Sequence, residues 1–175
     1  MAAGKTRKKG KGFRVFGLAV VLGICLVLPA RGWEATLYFL RTDAEALGVE
    51  KRDIASSLDL TERARAVVEA VLAGPQGGLL PALPATIPLR QVFVGPDKVA
   101  YVDLQPEASF GTDAGVSRER LGLWAVVNSL CGNLREIKAV QILVGGREPV
   151  TLWGHIDLSR PLLPDWRLSE TGRRE

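Results

Sequence analysis

Five side chains carry most of the chemistry this sequence could offer: Asp103, Glu119, Trp153, His155 and Asp157. His155 and Asp157 are two residues apart, and on a strand that spacing puts both on one face, where a carboxylate could orient a histidine base. The simpler reading is a hydrogen-bonded strand end, because no nucleophile accompanies the single histidine. Asp103 and Glu119 could form the carboxylate pair of a glycan- or peptide-cleaving enzyme if they converge within about 5–10 Å of each other. Each also has a plainer role, Glu119 in the first turn of a helix and Asp103 in a local turn. One histidine excludes a zinc site built on two or three, and there is no CxxC, HExxH, GxSxG or phosphate-binding loop. No catalytic residue, metal or cofactor is therefore expected. Trp153 and Trp166 present indole faces on which sugar rings could stack, although core packing is the commoner use; Trp124 reads as core and Trp33 as interfacial.

The elements that must position these residues follow from periodicity. Residues 35–40 are apolar and aromatic enough for a buried strand, and 49–54 suit an edge strand. Asp59 and Glu62 have capping-box spacing, and Ala64, Val67, Val68, Val71 and Leu72 follow at helical intervals until Gly74 and Pro75 stop the helix. Residues 74–88 hold too many glycines and prolines for regular structure. Residues 89–94 and 98–104 alternate on either side of Gly95-Pro96-Asp97, which predicts an antiparallel hairpin. Ser117 is placed to cap a second helix reaching about Asn133. A last hairpin, 137–144 with 150–156, is expected across Gly145, Gly146 and Pro149. The order β-α-β-β-α-β-β predicts an α+β two-layer sandwich with a mostly antiparallel sheet and two helices on one face. The long loops 74–88 and 105–115 are the natural places for a binding face.

Charge divides the chain. Residues 1–32 hold seven of the 23 Lys and Arg and no acid, leaving 16 basic against 19 acidic side chains in 33–175. Six of the seven precede an uncharged run over 15–30, about 24 Å as a helix, which interfacial Phe13 and Trp33 lengthen toward a bilayer core of roughly 30 Å. The run favours an uncleaved anchor with its basic tail in the cytoplasm and the rest of the chain outside; a cleaved, secreted form stays open, although Leu28 stands where a small residue is wanted. Lipidation at Cys25 is disfavoured because Ile24 occupies the position that needs a small residue. The mildly acidic remainder has no basic cluster, so nucleic acid is not expected as a partner. The expected divisions are a basic tail (1–14), a membrane segment (15–32), one domain (33–160) and an extended tail (161–175). Cys25 and Cys131 fall on opposite sides of the phase boundary and cannot pair.

Several short runs together resemble the GerMN domain of sporulation and spore-germination envelope proteins. They are Leu37-Tyr38-Phe39, residues 71–75 and 78–84, Val102-Asp103-Leu104, Glu119, residues 127–130, 140–144 with Gly146, and 151–157. Gly145, Gln105 and Ser129 depart from the residues that family often has there. The resemblance covers about 35–160 and implies a non-catalytic envelope module, carried on a lipid or transmembrane anchor, that binds a partner or helps assemble a complex. It carries over no catalytic residue. Gly74, Pro75, Gly146 and Gly154 are expected to shape turns, and Asp103, Glu119, Trp153, His155 and Asp157 are the candidate ligand-binding residues. Expected partners are the membrane through 15–32, peptidoglycan, a cell-wall enzyme, or further copies of the chain. A carboxylate-dependent wall hydrolase is the alternative.

Overall fold

A computed structural model describes Met1 and residues 32–84, 87–105 and 115–169. The expected membrane segment lies outside the described residues except for Gly32, which with Trp33 forms the start of a strand instead of the end of a membrane helix, and most of the 105–115 loop also lies outside them. Among those described, no helix is long and apolar enough to cross a membrane.

The chain starts with two strands, β1 (Gly32–Leu40) and β2 (Leu47–Ala55), paired antiparallel in unbroken register from Gly32–Ala55 to Leu40–Leu47. Helix α1 (Leu60–Leu72) follows, and Asp59 Oδ1 accepts the Glu62 N–H at 2.9 Å as the spacing predicts. The reciprocal half of the capping box is absent, because the Asp59 N–H goes to Ser57 Oγ instead. Strands β3 (Leu89–Val94) and β4 (Val99–Leu104) form the expected antiparallel hairpin. Helix α2 (Val116–Asn133) leads to β5 (Ala139–Val144), which lies parallel to β4. A parallel neighbour needs a long crossover, and α2 supplies it.

The result is an α+β fold with two helices and two sheets, β1-β2 and β3-β4-β5. It differs from the single sheet expected. Helix α2 packs chiefly on β1 and α1 on β3, and the helices touch each other, so they serve separate sheets around a shared core instead of lying on one face. Phe39, Leu47, Leu104, Leu123, Leu130 and Ile142 are among the side chains closed into that core.

Two further expectations are corrected. Helix α2 is capped by Gly115, not Ser117, with no side-chain bond; the Gly115 carbonyl accepts the N–H groups of Arg118 and Glu119. Residues 150–156 form no strand, although their composition suits one. Pro149 has no N–H for a ladder, Gly154 takes φ +98°, and the segment closes on itself through Leu158 N–H to the Val150 carbonyl at 2.8 Å. Within the expected extended tail, the described residues 161–169 are tied to the core: Leu162 exchanges two backbone hydrogen bonds with Val140, Leu168 is buried in a short 3-10 turn (Trp166–Leu168), and Ser169 bridges Leu47.

The exposed edge of β1 is closed by side chains of α2. Ser129 Oγ accepts the Tyr38 N–H at 2.9 Å, and the Asn133 amide both accepts from Thr36 N–H and donates to its carbonyl. Leu40 completes the edge by pairing with Leu80 in the proline-rich segment. An edge satisfied in this way offers little template for another chain.

Candidate functional site

Glu119 lies one turn into α2 and is fully buried. An isolated buried carboxylate is costly, so its partners define what it does. Oε1 accepts the N–H groups of Leu152 and Trp153 at 3.2 and 2.9 Å, and Oε2 accepts the His155 N–H at 3.0 Å with His155 Nδ1 at 2.9 Å. The 151–155 loop converges on this one carboxylate because Gly154 turns the backbone, an N–H donor itself to Thr151 Oγ1 at 3.0 Å. Burial opposes ionisation of Glu119, but the amides of Trp153, His155 and Ile156 and the His155 ring outweigh it and hold the carboxyl below its ordinary range. The charge is consumed in fixing a loop.

Of the five candidate residues, the structure therefore brings together Glu119, Trp153 and His155. Asp103 serves a different turn. Its carboxylate, 4% exposed, accepts from Arg90 at 3.0 Å and from the Gly146 N–H at 2.8 Å, where Gly146 has φ +78°. Asp157 does not share a strand face with His155; it caps its own turn through Ser159 N–H and Oγ at 2.9 and 2.6 Å. Trp153 is only 8% exposed, which removes it as a stacking platform. No cluster of three or more metal-ligating side chains occurs among the described residues.

An accessible aromatic surface lies on the segment expected to be a tail. Residues 161–167 and Trp124 of α2 line an open groove of ≈ 570 Å³. Trp124 donates its indole N–H to the Leu163 carbonyl at 3.0 Å, and Asn128, buried in α2, both accepts the Asp165 N–H and donates to its carbonyl at 3.1 and 3.0 Å. These three bonds hold the groove wall against the helix. Trp166, 40% exposed, packs on Tyr38 with ring centroids 6.3 Å apart. Asp165 sits between Arg167 at 2.9 Å and Arg120 at 3.8 Å, and the Arg167 bond draws its carboxyl below the usual range. The groove has an apolar floor, with the Asp165–Arg167 pair at its edge and Arg120 reaching Asp165 from α2.

Sequence reasoning singled out Trp166 but missed Asn128 as a clasp. The available signal was a polar residue inside the apolar stripe of α2, which a buried helix retains only when it has partners. Cys131, on the same helix, is half-buried and its thiol is pushed up to about 11 by burial, which suits an inert side chain.

Residues 36–150 match the family described as Germane, sporulation and spore germination, and the chain belongs to it. No curated protein shows a match. Solved structures with the same fold include a putative lipoprotein from Clostridium perfringens, 23% identical, with a TM-score of 0.55 over 75% of this chain and 87% of that one. The tandem GerMN domains of the sporulation protein GerM from Bacillus subtilis give 0.58 at 19% identity, over 79% of this chain and 48% of theirs. The first GerMN domain of that protein alone gives 0.54 at 16% identity, over 75% of this chain and 97% of the domain. The chain thus spans about half of the tandem structure and nearly all of the single domain.

Proposed function

We propose that this chain is a non-catalytic binding module, held on the outer face of the bacterial cytoplasmic membrane by residues 15–30, which engages peptidoglycan through the groove between Trp124 and Trp166. The observation that carries the reading is the contrast between that groove and the carboxylates. Asp103 and Glu119 are buried in bonds to backbone amides, an arginine and a histidine, whereas the exposed indole of Trp166 lines an open groove with the exposed Arg167 beside it. An indole face suits the apolar side of a sugar ring, and an exposed arginine such as Arg167 suits a carboxylate of a wall peptide. Membership of the sporulation and spore-germination family and the likeness to a putative lipoprotein support an envelope setting.

The wall-hydrolase alternative needs two carboxyls free to act on a substrate, and the partners of Asp103 and Glu119 count against it. The test is sedimentation of the detergent-solubilised chain with isolated sacculi. Saturable pelleting that Trp166→Ala weakens about tenfold or more supports the groove, in keeping with roughly 1–3 kcal/mol for a stacked ring. Pelleting unaffected by Trp166→Ala places the wall contact elsewhere, and no pelleting turns the search to a cell-wall enzyme or to self-association.

A further inference from the structure

The open end of the β1-β2 hairpin is joined directly to the apolar run. Gly32 begins β1 and pairs with Ala55 at the end of β2, and the uncharged residues 15–30 end two positions before Gly32 in sequence. Two residues span at most about 7 Å, comparable with an interfacial layer of roughly 5–8 Å on each side of the hydrocarbon core. With the run spanning the bilayer, Gly32 and Ala55 are confined to headgroup level. Leu58 lies three residues beyond Ala55, a reach of about 11 Å at most, and its relative exposure is 103%. It is presented on an ordered turn, because Ser57 Oγ accepts the Asp59 N–H at 3.1 Å and Asp59 then caps α1.

Beside the strand ends, Gly32, Asp53, Ile54 and Ala55 border an open hollow of ≈ 420 Å³. Lys51 is paired with Glu34 at 2.8 Å, and Asp53 on the hollow and Asp59 after Leu58 add negative charge to this end. With no excess of positive charge, this end has no electrostatic pull toward anionic lipid, so an apolar contact must carry any attachment.

We propose that this end of the domain docks on the bilayer surface with Leu58 inserted among the headgroups, so that the hairpin stands on the membrane. The proposal rests on the anchor assigned above. It also orients the binding groove. Tyr38, which backs Trp166, is six residues along β1 from Gly32, roughly 20 Å away along the strand, so the groove is held off the membrane and toward the wall.

The test uses the full chain with Cys25→Ser and Cys131→Ala, carrying an environment-sensitive fluorophore at Leu58→Cys or, as reference, at Asp43→Cys in the opposite turn. Each protein is reconstituted in phosphatidylcholine vesicles with and without lipids bearing a nitroxide near the headgroup. Quenching at 58 is expected to exceed that at 43 at least threefold, and to stay the same when a third of the lipid is made anionic. Flotation with the vesicles but equal, weak quenching at both positions overturns the docking and leaves the anchor standing. Quenching at 58 that requires anionic lipid overturns the apolar contact. Failure to float with the vesicles overturns the anchor and the docking together.

Discussion

Nδ1 of His155 and the backbone N–H of the same residue both lie within 3.0 Å of Glu119 Oε2, so one carboxylate oxygen holds the main chain and the side chain of His155 at once. Replacing it by Glu119→Gln puts an amide NH2 against backbone donors and leaves at least one of them buried without an acceptor. The expected cost is about 3 kcal/mol. In a domain of this size that lowers the thermal midpoint by roughly 10 °C. Calorimetry of the two proteins checks it, and an unchanged midpoint would show that the loop does not depend on the carboxylate.

Acid should unfold the domain in part through the same group. A carboxyl whose folded pKa is depressed contributes stability that is complete above its unfolded value, and that is lost as pH falls through the folded value. For Glu119 the loss therefore begins below its ordinary 4.5. Asp165 shifts in the same direction. Urea titrations between pH 7 and pH 3 should show a steep fall below pH 4.5 in the wild type and a shallower one in Glu119→Gln.

Gly122 opposes two effects. Alanine in a helix interior is favoured over glycine by about 1 kcal/mol, but a Cβ here would overlap the Ala82 carbonyl oxygen and crowd Leu83. Backbone cannot swing aside as a flexible side chain can, so overpacking of about 1–3 kcal/mol should win. Gly122→Ala is expected to be destabilising in denaturant titration, and a stabilised variant would mean that the proline-rich segment yields easily.

Asn128→Ala removes both hydrogen bonds to the Asp165 backbone, whose polar groups then lose their partners on α2. A loss of about 2 kcal/mol is expected. Amide hydrogen exchange should quicken across 164–168 more than in β4 or β5, since Asn128 makes two of the bonds that tie this part of the segment to α2.

Local elements were legible where local rules decide them. Asp59, the apolar stripe of α1 and the Gly95-Pro96-Asp97 turn each act within a few residues, and the structure follows them. The last segment was not legible because the winning interactions are remote. Residues 150–156 have a strand composition, but their N–H groups are claimed by Glu119 more than thirty positions earlier in the chain. Residues 161–169 look like a tail until Asn128, Trp124 and Val140 are brought beside them. Of the five candidates the side chains of Glu119 and His155 do meet, joined by the Trp153 backbone N–H, yet they meet to fix a loop, and sequence spacing could not reveal that Trp153 would be buried.

The central claim is binding without cleavage, and the most direct measurement is to incubate the full chain with isolated sacculi and quantify, in the same tube, pelleted protein and soluble wall fragments over time. Saturable pelleting with fragment release no greater than in protein-free controls is expected. Release that rises with protein concentration and disappears in Asp103→Asn or Glu119→Gln would contradict the account and make the chain a wall hydrolase.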